Sequence, residues 1–229
     1  MSNLQTVKKT SSNSKKMAIL VIALIVAMIA VVGGGMALAL KAGESSDGSA
    51  VETVVAGASA PDPATAQDRQ WTGALGLNDG ELGVTLHGDK APKAVASFLH
   101  LSEIGYFDGT KCHRLTTGGF DILQCGDPTA TGSGGPGYTF GPVENAPADD
   151  LYKRGVLAMA RTSDPNSNGS QFFIVYGDTT IPAGSAGGYT VFGEITSGLE
   201  SVEKIAAQGT VGGQQDGAPA APAGIVVSP

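Results

Sequence analysis

An antiparallel β-barrel capped by helices is the fold class this sequence predicts, and three observations predict it. Beyond Asp68 the chain reads as roughly seven or eight short apolar runs of strand length, each bounded by turn residues. Only two segments carry helical periodicity and they lie far apart, so no alternating strand–helix pattern calls for a parallel sheet. Gly 34 and Pro 12 in 229 residues supply the turns that a mainly β chain needs.

The first forty residues do not belong to that domain. Lys8, Lys9, Lys15 and Lys16 precede an uncharged apolar stretch from Met17 to Leu40. Its length suits the ~20 apolar residues that a hydrocarbon core of ~30 Å requires, so 17–40 is predicted to be one transmembrane helix. The positive-inside rule then makes residues 1–16 a cytoplasmic basic tail and places everything after Leu40 outside the cytoplasm. A cleaved signal sequence ending at Ala37-Leu38-Ala39 is the alternative, although the apolar run exceeds the ~7 to 15 residues usual there. The first reading gives a single-pass membrane protein and the second a secreted one. Residues 41–67, rich in Ala, Gly, Ser, Asp and Pro and without an aromatic ring, read as a flexible linker.

The folded domain is expected over 68–229. Trp71–Leu77 and Glu81–Leu86 flank Asn78-Asp79-Gly80 as a β-hairpin. Asp89, Ala91 and Pro92 open a helix with apolar Ala94, Val95, Phe98, Leu99 and Leu101, ending near Gly105. Cys112–Thr116 reads as a strand that Gly118-Gly119 folds back into Phe120–Gln124, and a glycine-rich loop follows over 127–138. Gly155–Ala160, Gln171–Val175 and Tyr189–Ile195 are further strands, Leu199–Ala207 is a helix stopped by Gly209, and Gly224–Val227 closes the set.

Charge and composition exclude several functions. Four of the 14 basic residues lie in the tail, which leaves ten against 21 acidic ones, a net charge of −11 beyond residue 16. So acidic a domain is no nucleic-acid binder. No Cys-x-x-Cys or His/Cys cluster points to a metal, and no cofactor is expected. The glycines of the 127–137 loop lack a following Lys-Ser/Thr and a helix, which argues against a phosphate loop.

Chemistry is suggested by two places instead. Asn168-Gly169-Ser170-Gln171-Phe172-Phe173-Ile174 turns from turn residues into an aromatic, β-branched strand. Gln171 and Phe173 are two residues apart, so one strand face offers an amide hook beside a flat apolar wall. Arg114 stands in a strand otherwise built of Cys, Leu and Thr, and the return strand ends in Gln124. A lone strand arginine is ordinarily an edge residue, and spacing alone does not make these groups converge.

These segments resemble the cyclophilin family of peptidyl-prolyl isomerases, in a form anchored in a bacterial membrane. The resemblance runs in unbroken order from Trp71 to Pro229 and is carried by Phe107-Asp108-Gly109-Thr110, His113-Arg114-Leu115, Leu123-Gln124-Cys125-Gly126-Asp127, Gly134-Gly135-Pro136-Gly137-Tyr138, Val156–Ala160 and Gly169–Ile174. It implies a closed eight-stranded barrel with two helices. It also implies that Arg114 is catalytic, that Gln124 and Gln171 hold the substrate amide, and that Ala160 offers a backbone contact. Phe173 would floor the proline pocket, with Ile122 or Phe120 as its apolar wall. Tyr189 stands where many members have histidine. The partners implied are proline-containing polypeptides, exported ones if the domain crosses the membrane, and the chain is expected to be a monomer. The alternative is a proline-segment-binding chaperone or scaffold with little turnover.

Cys112 and Cys125 are cross-strand partners if Gly118-Gly119 is a two-residue turn. A regular ladder that joins Arg114 to Gln124, however, separates the cysteines by one position, because neighbouring residues face opposite sides. Only a bulge satisfies both, and a disulfide and two free thiols remain open readings.

Overall fold

The computed structural model describes residues 58–78 and 80–228. The expected basic tail, transmembrane segment and first part of the linker lie outside the described residues. Among the described residues no helix is long and apolar enough to cross a membrane.

Strand β1 (Gln70–Leu77) pairs with β2 (Gly80–His87) as the expected hairpin, and α1 (Pro92–Glu103) follows. Pro92 sits in the first turn of α1, where its missing N–H costs nothing. No side chain of the preceding loop caps the helix. The Glu144 carboxylate does so from fifty residues away, accepting from the N–H groups of Lys93 at 3.2 Å and Ala94 at 3.1 Å. Next come β3 (Arg114–Thr116), β4 (Ile122–Cys125), β5 (Leu151–Tyr152), β6 (Val156–Met159), β7 (Phe172–Val175) and β8 (Thr179–Thr180). The chain ends with β9 (Val191–Ser197), α2 (Glu200–Ala206), β10 (Asp216–Gly217) and β11 (Ile225–Ser228).

Nine strands form one antiparallel sheet in the order β10-β3-β4-β7-β6-β9-β2-β1-β11, and β5 pairs with β8 separately. The closed eight-stranded barrel is therefore not what the ladder shows: the order is open, with β10 and β11 at its ends. The β11 end meets the backbone ahead of β3, outside any ladder, through the isolated bridge Lys111–Gly224. Gly109 and Cys112 donate to Ile225 and Ala223, and Ile225 donates back to Thr110. The reason is local, since Thr110 folds onto Phe107 in a turn that cannot extend β3 backwards as a ladder.

Part of the expected linker is ordered against the domain. Pro63–Ala66 is a single 3-10 turn whose first N–H groups are met by Asp62, and Ala66 is fully buried with its carbonyl accepting from the Trp71 indole at 2.8 Å. Small apolar residues resemble linker composition, yet they fit where bulky ones would not. At Gly88 a Cβ would lie 2.7 Å from the Ala66 carbonyl.

Period-two alternation divides the side chains of β4, β6 and β7 between two clusters. Leu123, Cys125, Leu157, Met159, Phe172 and Ile174 face a large core that also takes Val95, Phe98 and Phe107. Ile122, Ala158, Phe173 and Val175 face the other way, with Tyr152 and Ile181.

Candidate active site

A bulge places Arg114. The β3–β4 ladder pairs Arg114 with Gln124 and Leu115 with Leu123. The His113 N–H also donates to the Gln124 carbonyl, at 3.0 Å. Two residues thus oppose one, which is how a β-bulge re-aims a side chain. The slip brings Cys112 opposite Cys125, and the two are joined as a disulfide. His113, at the bulge, is half-buried with neither ring nitrogen hydrogen-bonded among the described residues. Burial pushes its imidazole pKa down, and it carries no evident chemistry.

From Arg114 a chain of polar side chains runs across the sheet. Its Nε and Nη2 donate to the two Asp216 carboxylate oxygens at 2.8 and 2.7 Å, and Nη1 donates to Gln124 Oε1 at 3.3 Å. Gln124 Nε2 donates to Gln171 Oε1 at 2.9 Å, and Gln171 Nε2 reaches the carbonyls of Gly132 and Gly134. Hydrogen bonding to Asp216 holds the Arg114 pKa above its ordinary value, and Arg114 holds Asp216 below the usual carboxylate value. A guanidinium has five N–H donors and three are committed here, so two remain for a ligand.

The far end of this chain is anchored by Asp127, which has no exposed surface. Its carboxylate accepts from Thr129 N–H and hydroxyl and from the N–H groups of Gly132 and Gly134. Burial pushes the Asp127 carboxyl up, but the bonds from Gly134, Thr129 and Gly132 outweigh that and leave it below the usual value. Two glycines are required. Gly132 has φ +85°, and a Cβ on Gly134 would collide with the Asp127 carboxylate.

Beside the polar chain lies an apolar cluster. Phe173 is 3% exposed and Ile122 2%, and half-buried Phe120, Ala160 and Tyr189 pack around them. The Tyr189 ring meets Phe173 edge-on at 5.6 Å, and the Arg114 guanidinium stands 5.9 Å from the Phe120 ring. On the other side of Ala160 and Gln171 opens a groove of about 660 Å³, bounded by the glycine-rich loop and by Arg161 and Thr162. An amide segment with an apolar ring matches this chemistry: the ring against the partly exposed side of the apolar cluster, the backbone along the glutamines, and a cation at the join.

The sequence model described as cyclophilin type peptidyl-prolyl cis-trans isomerase/CLD matches residues 74–227. The chain belongs to the cyclophilin family. Among curated relatives, a protein named probable peptidyl-prolyl cis-trans isomerase B from Mycobacterium leprae is 45% identical over 171 residues, 69% of this chain and 55% of that protein. One of the same name from Mycobacterium tuberculosis is 46% identical over 155 residues, 62% of this chain and 49% of that one. The chain thus spans about half the length of these two relatives. A crystal structure of a Cryptosporidium parvum cyclophilin type peptidyl-prolyl cis-trans isomerase, determined in the presence of the dipeptide Ala-Pro, has a TM-score of 0.57 and 33% identity, covering 69% of this chain and 99% of that one.

In this cyclophilin the structure brings Arg114, Gln124 and Gln171 into one hydrogen-bonded chain, and Ile122, Phe120, Phe173, Ala160 and Tyr189 into one apolar cluster. Phe120 and Ile122 both line that cluster, because Thr116 closes the intervening turn by donating to the Phe120 carbonyl and accepting from Ile122 N–H. Sequence reasoning missed Asp216, Asp127 and Arg161. Asp216 is 102 residues from Arg114 and sits in a polar Gly/Gln stretch with no strand pattern. Asp127 lay inside a matching motif and was readable as a loop organiser from the Asp-x-Thr and glycines after it. Asn168, formally in a glycosylation sequon, has no exposed surface and bonds the Phe140 carbonyl, as a turn residue does.

Proposed function

We propose that the protein is a peptidyl-prolyl cis-trans isomerase acting on proline-containing polypeptides. The observation that carries this reading is the Arg114–Gln124–Gln171 chain running beside the Phe173 pocket. Rotation about an X-Pro amide crosses a barrier of roughly 18 to 20 kcal/mol because resonance gives the C–N bond double-bond character. Pyramidalising the prolyl nitrogen breaks that resonance and creates a lone pair. The uncommitted N–H groups of Arg114 are suited to donate to it, and the half-buried setting strengthens such a bond relative to water. Phe173, Ile122, Phe120 and Tyr189 would hold the ring, the glutamines the neighbouring amide, and Ala160 the backbone. Charged reactants and proton transfer are not needed for a rotation.

Arg114→Ala tests this in a protease-coupled prolyl-peptide assay. The expected loss in kcat/KM is about a hundredfold, the size usual for a donor directed at developing charge. Full activity in the variant would overturn the role. Binding of prolyl peptides by the unaltered protein without any rate enhancement would overturn the enzyme and favour a chaperone or scaffold.

The setting proposed for this activity is outside the cytoplasm, on a monomer tethered through 17–40 and acting on exported chains. The four lysines ahead of an uncharged apolar stretch support it. Membrane fractionation and protease accessibility in intact cells check it: release into the soluble fraction with an N-terminus beyond Ala39 would replace the anchor by a cleaved signal.

A further inference from the structure

Arg161 is the residue at this site for which neither the fold nor the isomerase reading has a use. Its backbone follows directly on Ala160, the residue shared by the apolar pocket and the groove. The side chain is held rigidly. Nε donates to the Gly188 carbonyl at 2.7 Å, Nη1 donates to the Thr162 carbonyl at 2.8 Å, and the guanidinium lies 4.6 Å over the Tyr189 ring. Two carbonyls and an aromatic face orient the fork without neutralising it, because none of them carries a full charge. Nη2 has no acceptor among the described residues.

The surroundings make that cation unusual. The domain is strongly acidic, and two of its arginines, Arg114 and Arg154, are matched by Asp216 and Glu203, while Arg69 bonds Gln67 and lies over the Trp71 ring away from the site. Among the described residues lining the groove, by contrast, there is no carboxylate, and Arg161 is the one charged side chain. The rest of the wall is glycine, small hydroxyl residues, Pro136 and Tyr138, with the glutamines at the pocket end. A backbone that leaves the pocket past Ala160 therefore enters a groove with a single pre-oriented, unpaired fork of donors.

The geometry points to Arg161 as a specificity-determining residue that selects proline segments carrying a carboxylate, from Asp or Glu, within one or two residues of the proline. This rests on the reading that prolyl peptides occupy the pocket, and it adds the charge class of the flanking residue. An arginine fork and a carboxylate match as two parallel N–H···O bonds, and the partly enclosed groove screens them less than open solvent does. A lysine in the same place meets a like charge with nothing to offset it.

The test is a binding measurement on the whole domain with proline-containing peptides that differ only by Glu, Gln or Lys, placed in turn on each side of the proline. Dissociation constants come from isotope titration by NMR, and turnover comes from cis–trans exchange in the same samples. At one flanking position the Glu peptide is expected to bind about fivefold more tightly than the Lys peptide, and the ratio is expected to fall towards one in molar salt. Arg161→Glu should invert the ratio. Arg161→Gln, which removes the charge and leaves a neutral polar side chain, should bring it to one. Binding with no charge preference at any position, or a preference unchanged in Arg161→Gln, overturns the inference and leaves the isomerase intact. A charge preference without exchange overturns the isomerase and leaves the inference standing. No binding of any peptide overturns both.

Discussion

Phe172 and Phe173 are consecutive residues of β7, both nearly without exposed surface, and they belong to different parts of the protein. Phe172 is surrounded by Phe98, Phe107 and Phe192 at ring distances of 5.5, 5.8 and 6.4 Å, inside the core that α1 covers. Phe173 has Tyr152 and Tyr189 at 6.3 and 5.6 Å, and its cluster ends at half-buried Phe120, Ala160 and Tyr189, with Arg114 and the glutamines alongside. One face is closed by protein, the other finishes in partly exposed rings and polar groups. The difference teaches that the same three strands carry a closed core on one side and, on the other, the partly exposed cluster to which the proposed function assigns recognition, with the pleat alone separating the two.

The sharpest way to break that comparison is to truncate both rings. Phe172→Ala is expected to cost about 3–5 kcal/mol of stability, as large core deletions do, measured by denaturant unfolding. Phe173→Ala should cost about half of that, with prolyl-peptide turnover lost while the domain is still folded. Equal unfolding costs for the two would mean that the recognition face is simply a second core.

The disulfide comes next, since both its cysteines face the inner core while Arg114 and Gln124 face out. Its sequence separation of 13 corresponds to about 3 kcal/mol of loop-closure stabilisation. Replacing both cysteines by serine should shift the denaturant midpoint accordingly. If activity fell well before stability did, the bulge at His113–Arg114 would depend on the bridge.

Asp127 organises the glycine-rich loop, and Asp127→Ala leaves N–H groups of that loop unpaired at a cost of about 1–3 kcal/mol, read in the same unfolding experiment. The expected accompanying change is weaker peptide binding, because Gln171 is held by the carbonyls of the loop that Asp127 organises.

The smallest effect concerns Asp216. Its folded pKa lies below the unfolded value, so its contribution is present above the ordinary carboxylate range and is lost as pH falls through the folded pKa. Its side chain is 55% exposed, which limits the stability term to less than about 1 kcal/mol. Asp216→Asn should therefore barely change unfolding. Its effect should be seen in turnover by exchange NMR: the unaltered protein declines only below the ordinary carboxylate range, as the clamp on Arg114 protonates, and the variant starts lower and stays flat. An acid decline that persists in Asp216→Asn would assign it to another carboxylate.

Legibility in the sequence followed the range of the interaction. The β1–β2 hairpin, α1 and β7 were readable because turn residues, Pro92 and the aromatic, β-branched run Phe172–Val175 act within a few positions. The site residues were named through the resemblance of short motifs, while spacing alone left their convergence open. The open nine-stranded order and the folded turn at Pro63–Ala66 were not legible. The first depends on how distant strand ends meet, and the second on small residues fitting a particular surface.

By itself, then, the sequence determined which side chains share a strand face, where the chain turns, and that Arg114 and Gln124 can be neighbours only if a bulge also serves the cysteines. The tertiary structure alone decided what each polar group holds. Asp216 reaches Arg114 across 102 residues, Gln171 rests on carbonyls 37 and 39 residues away, and Arg161 takes the Gly188 carbonyl 27 residues on and is left unpaired in a groove. The physical reason is that periodicity is written in backbone geometry, which every residue carries, whereas a hydrogen-bond partner is chosen only when register, bulge and loop closure have brought two distant segments to within about 3 Å.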